Sequence, residues 1–210
     1  MATNLMILAL PGFPVVAQDS YTIFGFAPLG LGLRPDAQGK VNVIVKNNQN
    51  LYGLEFQLSF DPNIVEVIDA NPDEEGVQIK PADMWKDGFL ASNKVDNRNG
   101  LIDFAATLLR PALPASGDRI IATITFAARE SGTSALNVES AILSTRNAKT
   151  ISFLKQDGKI GVNPNGIAPD MHANASSTGP NPGRLLLAGA AMLALITALG
   201  VFVYALRHKK

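Results

Sequence analysis

Apolar and polar residues alternate with a period of two through most of the chain between Tyr21 and Val162. The clearest run is Leu51 to Phe60. Leu54, Phe56, Leu58 and Phe60 fall on one side of an extended strand, and Glu55, Gln57 and Ser59 on the other. Asp61-Pro62-Asn63 stops it, because proline lacks a ladder donor and Asp and Asn favour turns. Ile64 to Val67 restarts as a short strand. A strand with one apolar and one wet face belongs to an antiparallel sheet packed on a second layer.

The same reading predicts further strands. Tyr21 to Phe26 is the first, and Pro28 to Gly32 reads as a kinked connection. Lys40 to Lys46 follows, with Val41, Val43 and Val45 inward and Asn42 and Ile44 outward, and Asn47 to Asn50 reads as a loop. Asp69 to Gly76 is a solvated loop with the acidic run Asp73-Glu74-Glu75; no glutamate stands where a calcium loop would place its bidentate ligand. Phe89 to Val95 and Leu101 to Leu109 are strands joined across Asn97-Arg98-Asn99-Gly100, a hairpin signal. On the second of these, Ile102, Phe104 and Ala106 face one way and Asp103, Ala105 and Thr107 the other. Pro111 to Asp118 reads as a loop. Ile120 to Ala128 alternates, with Ile120, Ala122, Ile124 and Phe126 inward and Ile121 outward. Ala135 to Leu143, Thr150 to Leu154 and Lys159 to Val162 complete the set, the last two read as a hairpin across Gln156-Asp157-Gly158. About nine short strands with no helical period predict an all-β sandwich, a jelly roll or an immunoglobulin-like fold.

The ends behave differently. Leu185 to Leu206 carries no charge and, at about 1.5 Å per residue, is long enough for a hydrocarbon core of ~30 Å. With Arg184 before it and Arg207-His208-Lys209-Lys210 after it, residues 184–206 are expected to span a membrane. The basic tail, 207–210, would be cytoplasmic and the sandwich extracellular. Leu5 to Leu10 is followed by Val15-Val16-Ala17, so residues 1–17 resemble the end of a secretory signal peptide, without its basic n-region. Residues 18–163 form the expected domain. Residues 164–183, rich in Pro, Gly, Asn and Ser, form the expected flexible linker.

Composition removes several functions. Lys plus Arg and Asp plus Glu are both 18 among 210 residues, which gives no attraction for nucleic acid. There is no cysteine, and the two histidines, His172 and His208, lie outside the predicted sandwich. Thiolate metal sites and histidine-based hydrolases are therefore excluded from the sandwich, and no resident cofactor is expected. Glu55 and Asp103 are the one pair of carboxylates with a conceivable acid–base role. On a flat sheet face they read instead as solvated or partner-contacting carboxylates, so the chain is expected not to be an enzyme. Most aromatic residues fall inward; only Tyr52 and Trp85 are candidates for an exposed ring that stacks on a sugar.

These residues also carry a family resemblance. Asn50 to Val67, with its aromatic-Asp-Pro after an alternating strand, resembles the third and fourth strands of cohesin domains. Gly100 to Ala106, Gly117 to Phe126 and Gly158 to Val162 are similar to later strands of that family, in the same order. The resemblance implies a nine-stranded jelly roll that binds a dockerin module on another protein, with calcium on the dockerin and none on this chain. Carried over by position, it places partner contacts at Glu55 and, on the later strand, at Asp103, Ala105 and Thr107; Gln57 is expected to join them because the alternation puts it on the same wet face as Glu55. An amide contact of the type I pattern falls on Gly53, where this chain departs from it. The expectation is a membrane-anchored surface adaptor for dockerin-bearing proteins, with a role in polysaccharide degradation. The alternatives are a carbohydrate-binding sandwich that takes a polysaccharide directly, and a structural or adhesive surface domain.

Overall fold

The computed structural model describes residues 21–171. The expected signal segment and membrane span, with the linker beyond Met171, lie outside the described residues. Strands dominate: β1 (Ile23–Ala27), β2 (Gly30–Leu33), β3 (Gln38–Leu51), β4 (Gly53–Ser59), β5 (Val65–Val67), β6 (Lys80–Pro81), β7 (Phe89–Asp96), β8 (Leu101–Thr107), β9 (Ala115–Ala128), β10 (Gly132–Ser144), β11 (Leu154–Lys155) and β12 (Gly158–Val162). One single-turn 3₁₀ helix, Asp83–Trp85, interrupts them.

The strands form two sheets. The back sheet runs β11-β1-β3-β9-β5, with β6 also on β9; the front sheet runs β2-β12-β10-β4-β8-β7. Between them lies one apolar core, an arrangement that buries one face of each sheet. Phe24, Val41, Val43, Val45, Ile124 and Phe126 enter it from the back. Leu54, Phe56, Leu58, Ile102, Phe104 and Leu136 enter it from the front. The aromatic rings meet at its centre: Phe56 stacks on Phe104 at 5.1 Å and lies 5.5 Å from Phe24.

Strands with unbroken alternation sit as the sequence predicts. Leu54, Phe56, Leu58 and Phe60 are buried, as are Ile102, Phe104 and Ala106. Other expectations are corrected. The described residues hold twelve strand segments, and Gly30–Leu33 is one of them and not a connection. It pairs in parallel with β12, with Leu33 buried and Gly30 and Gly32 in alternate register. Residues 47–50 continue β3 because β9 starts early enough to pair with them: Asn48 lies opposite Gly117 and Leu51 opposite Ala115. Asn47 and Asn50 adopt φ of 51° and 61°, which asparagine tolerates and which breaks the register there.

A bulge reverses the inward and outward assignment at the start of the Ile120–Ala128 run. Val43 pairs with Ala122 but Ile44 with Ile120, so Ile121 is the extra residue. Ile121 is consequently buried and Ile120 is 48% exposed. Trp85 is 5% exposed, and its indole Nε1–H donates to the Ile121 carbonyl at 3.0 Å. It is a core anchor, unavailable for stacking on a sugar. The segment 156–158 does not close a hairpin either: β11 lies on β1 in the back sheet and β12 on β10 in the front. The chain changes sheet there, and Asp157 Oδ1 accepts from the Val138 N–H at 2.8 Å.

The β7–β8 hairpin turns at Gly100, whose φ is +64° and whose carbonyl accepts from Phe60 N–H at 2.9 Å. A Cβ at this position would collide with the Phe60 carbonyl oxygen. Gly100→Ala is therefore expected to lower unfolding free energy by about 1–3 kcal/mol, measured by urea denaturation.

Candidate functional site

Four antiparallel strands, β10, β4, β8 and β7, build the larger part of the front sheet's outer face. Their register stacks outward residues in rows. Ser144, Gly53, Thr107 and Phe89 form the first row; Ile142, Glu55, Ala105 and Ser92 the second; Ser140, Gln57, Asp103 and Lys94 the third. All six residues predicted from the sequence thus fall on one surface. The period of two delivers them there, since Gly53, Glu55 and Gln57 alternate with the buried Leu54, Phe56 and Leu58.

The six do not contribute equally. Gly53 is buried between neighbours: a Cβ would stand 3.1 Å from Ser144 Oγ and 3.2 Å from Thr107 Oγ1. Its carbonyl accepts from the Ser144 hydroxyl at 3.1 Å, so it shapes the sheet and presents no side chain. The Thr107 hydroxyl is turned to the backbone, donating within 3.2 Å to the Leu108 carbonyl. Gln57 Nε2 donates to Asp103 Oδ1 at 2.9 Å, which fixes the amide and carboxylate as one polar unit. Glu55 sits one row above, half-buried, opposite Ala105. Farther along β4, the Ser59 hydroxyl donates to Glu139 Oε1 at 2.6 Å. A shallow depression joins Glu55, Gln57, Asp103, Lys94, Ser92 and Ser140.

Ser140 and Ile142 were not found from the sequence. A bulge between Val138 and Ser140 shifts the phase of β10, so Leu136 and Val138 point inward before it and Leu143 after it. Ser92 and Lys94 lie on β7, where another shift between Leu90 and Ser92 blurs the alternation. Tyr52, the other expected sugar platform, is half-buried beneath the Arg146 guanidinium, 5.6 Å from its ring centre.

Burial raises the pKa of Glu55 above its ordinary value, because the flanking strands strip water from the charged form. The native state then holds this proton more tightly than the unfolded chain does. The contribution of Glu55 to stability is therefore greatest below the ordinary glutamate range. It falls as pH rises through the window up to the raised native value, and is level above it. Glu55→Gln is expected to remove this fall, seen as a loss of pH dependence in urea midpoints measured across that window.

Among the described residues, no group of three or more His, Cys, Asp or Glu could hold a metal ion. Also among them, no helix is long and apolar enough to cross a membrane.

A model of the cohesin domain matches residues 34–162. No curated protein matches the chain. Solved structures do. A non-cellulosomal cohesin from the archaeon Archaeoglobus fulgidus is 14% identical, with a TM-score of 0.52 over 69% of this chain and 92% of that one. A type II cohesin domain from the cellulosome of Acetivibrio cellulolyticus is also 14% identical, with a TM-score of 0.53 over 67% and 95%. A type I cohesin–dockerin complex from Clostridium thermocellum contains a chain 14% identical, with a TM-score of 0.52 over 69% and 100%.

Proposed function

This chain belongs to the cohesin family, and on that premise we propose that the β10–β4–β8–β7 face docks a dockerin module carried by another protein. The observation that carries this reading is the second and third rows: Glu55, Ala105, Gln57 and Asp103 on adjacent rigid strands. Small side chains beside fixed carboxylates make a flat surface that accepts a helix and its hydrogen-bond donors. The protein acts by binding, without catalysis. Calcium belongs to the dockerin.

Direct capture of a polysaccharide has less support, since Trp85 is in the core and Tyr52 lies under Arg146. The finer description of the sandwich as a nine-stranded jelly roll stands on the family premise. So does the wider role: a signal segment, one cohesin domain, a tether and a membrane span would display a receptor for dockerin-bearing cargo at the cell surface, and a role in polysaccharide degradation would come from that cargo.

The test is capture by the immobilised full chain from the secreted proteins of its source organism. Recovery of a protein whose sequence contains a dockerin module, abolished by a calcium chelator, supports the reading. Retention of the chain on insoluble polysaccharide with no dockerin-bearing protein recovered would overturn it.

A further inference from the structure

At its β2 edge the outer face of the front sheet has three positions without side chains: Gly30 and Gly32 on β2 and Gly161 on β12. The space a Cβ would occupy at each is filled by the segment that follows β12. At Gly32 it would run into the Gly166 carbonyl oxygen, and the backbone of Ile167 and Ala168 crowds the same space at 2.5 Å. At Gly30 the neighbours are Pro169 O at 3.2 Å and Met171 Cγ at 3.6 Å; at Gly161 they are the Pro169 ring atoms at 3.0 and 3.1 Å. A side chain at Gly32 would displace the segment, and one at Gly30 or Gly161 would press against it.

Asn163 turns the chain into this groove. Its N–H donates to the Leu33 carbonyl at 2.9 Å. Its Oδ1 accepts from Asn165 N–H at 3.2 Å and Ile167 N–H at 3.0 Å, while Nδ2 donates to the Ile167 carbonyl at 2.7 Å. Gly166, at φ +67°, supplies the left-handed residue of the turn and donates to the Asn163 carbonyl at 3.0 Å. The segment then runs back along β12, and Lys159 Nζ lies 3.5 Å from the Asp170 carbonyl. Leu136 pairs with Gly158 at that end of β12, and β10 continues from there into the row of Ser140 and Gln57.

We propose that residues 164–171 are a strap built into the domain. The strap seats in a glycine-floored groove that fits an extended stretch of small residues and proline. It carries the chain from the Val162 end of β12 back toward the docking rows and releases it on the side of the front sheet. It also closes the β2–β12 part of that sheet's outer face, so a docked module is confined to β10, β4, β8 and β7. Only this last consequence rests on the dockerin reading; the strap itself does not.

Hydrogen exchange of the full chain, followed by mass spectrometry without any partner, tests it. The amides of Gly166 and Ile167 are expected to exchange at least tenfold more slowly than in a free peptide of the same sequence. Asn163→Ala, which removes the side-chain bonds of the turn, and Gly32→Ala, which fills the groove, are each expected to return them to the peptide rate while β4 and β8 keep their protection. Peptide-rate exchange at Ile167 in the unaltered chain would overturn the strap. Loss of protection through β4 and β8 in both variants would overturn it as a separable element. Neither outcome depends on whether a dockerin binds.

Discussion

Glu55→Lys is expected to weaken dockerin capture by at least about a hundredfold and to leave the urea unfolding midpoint of the sandwich nearly unchanged. Glu55 occupies the middle of the proposed docking rows, between Ala105 on β8 and Ile142 on β10. Its side chain is already partly buried in the sheet face, and that burial raises its pKa. A partner that covers the face removes the rest. A carboxylate so desolvated is tolerated only opposite a donor or a cation. Losing one member of such a pair costs about 2–5 kcal/mol, and placing an ammonium opposite the same donors puts the effect at the upper end. The fold has little at stake, because the side chain points outward and a lysine stem can lie along the sheet with its charge in water.

The comparison that gives this result meaning uses three variants. Glu55→Gln keeps the shape and removes the charge, so it is expected to fall between the native residue and lysine. Asp103→Lys breaks the unit with Gln57 and is expected to act on the third row as Glu55→Lys acts on the second. Glu66→Lys, on the back sheet in an exposed pair with Arg129, is expected to leave capture intact. Equal capture by all of them, measured on a dockerin-bearing protein already shown to bind, would remove the docking function from this face.

How far the sequence reveals this face depends on local regularity. On β4 and β8 nothing interrupts the period of two, so both core and face residues can be read directly. On β9 and β10 one extra residue reverses the phase, at Ile121 and between Val138 and Ser140. The alternation therefore does not reveal Ser140 and Ile142 as face residues, and it points Ile120 inward where the bulge turns it out. Composition misleads in a second manner. Glycine and asparagine usually mark turns, yet Gly30 and Gly32 lie in a strand because their missing side chains make room for residues 166–171. Asn47–Asn50 extends β3 because a distant segment pairs with it. Which strands pair is itself non-local. The apparent hairpin at 156–158 fails because β11 and β12 find partners in different sheets.

Phe104→Ala is expected to lower the unfolding free energy by about 3–5 kcal/mol, the usual cost of emptying a core aromatic site. Phe104 is 1% exposed and stacks on Phe56 with an interplanar angle of 15°. Phe56 in turn meets Phe24 from the back sheet, so the three rings tie the layers together. The loss is a large share of the roughly 5–15 kcal/mol that holds a domain of this kind folded. No disulfide can compensate in a chain without cysteine. Phe104→Leu keeps most of the volume and is expected to cost much less, below about 2 kcal/mol. The position also links stability to recognition. Phe56 and Phe104 are paired directly across β4 and β8, between the Glu55–Ala105 and Gln57–Asp103 pairs. With the ring removed, the two strands lose the packing that sets their alignment beneath the carboxylates. Capture by Phe104→Ala should therefore weaken even at temperatures where circular dichroism reports a folded sandwich. A variant that loses less than about 1 kcal/mol and binds normally would mean that the core closes around the gap, and that the rings do not hold the face in shape.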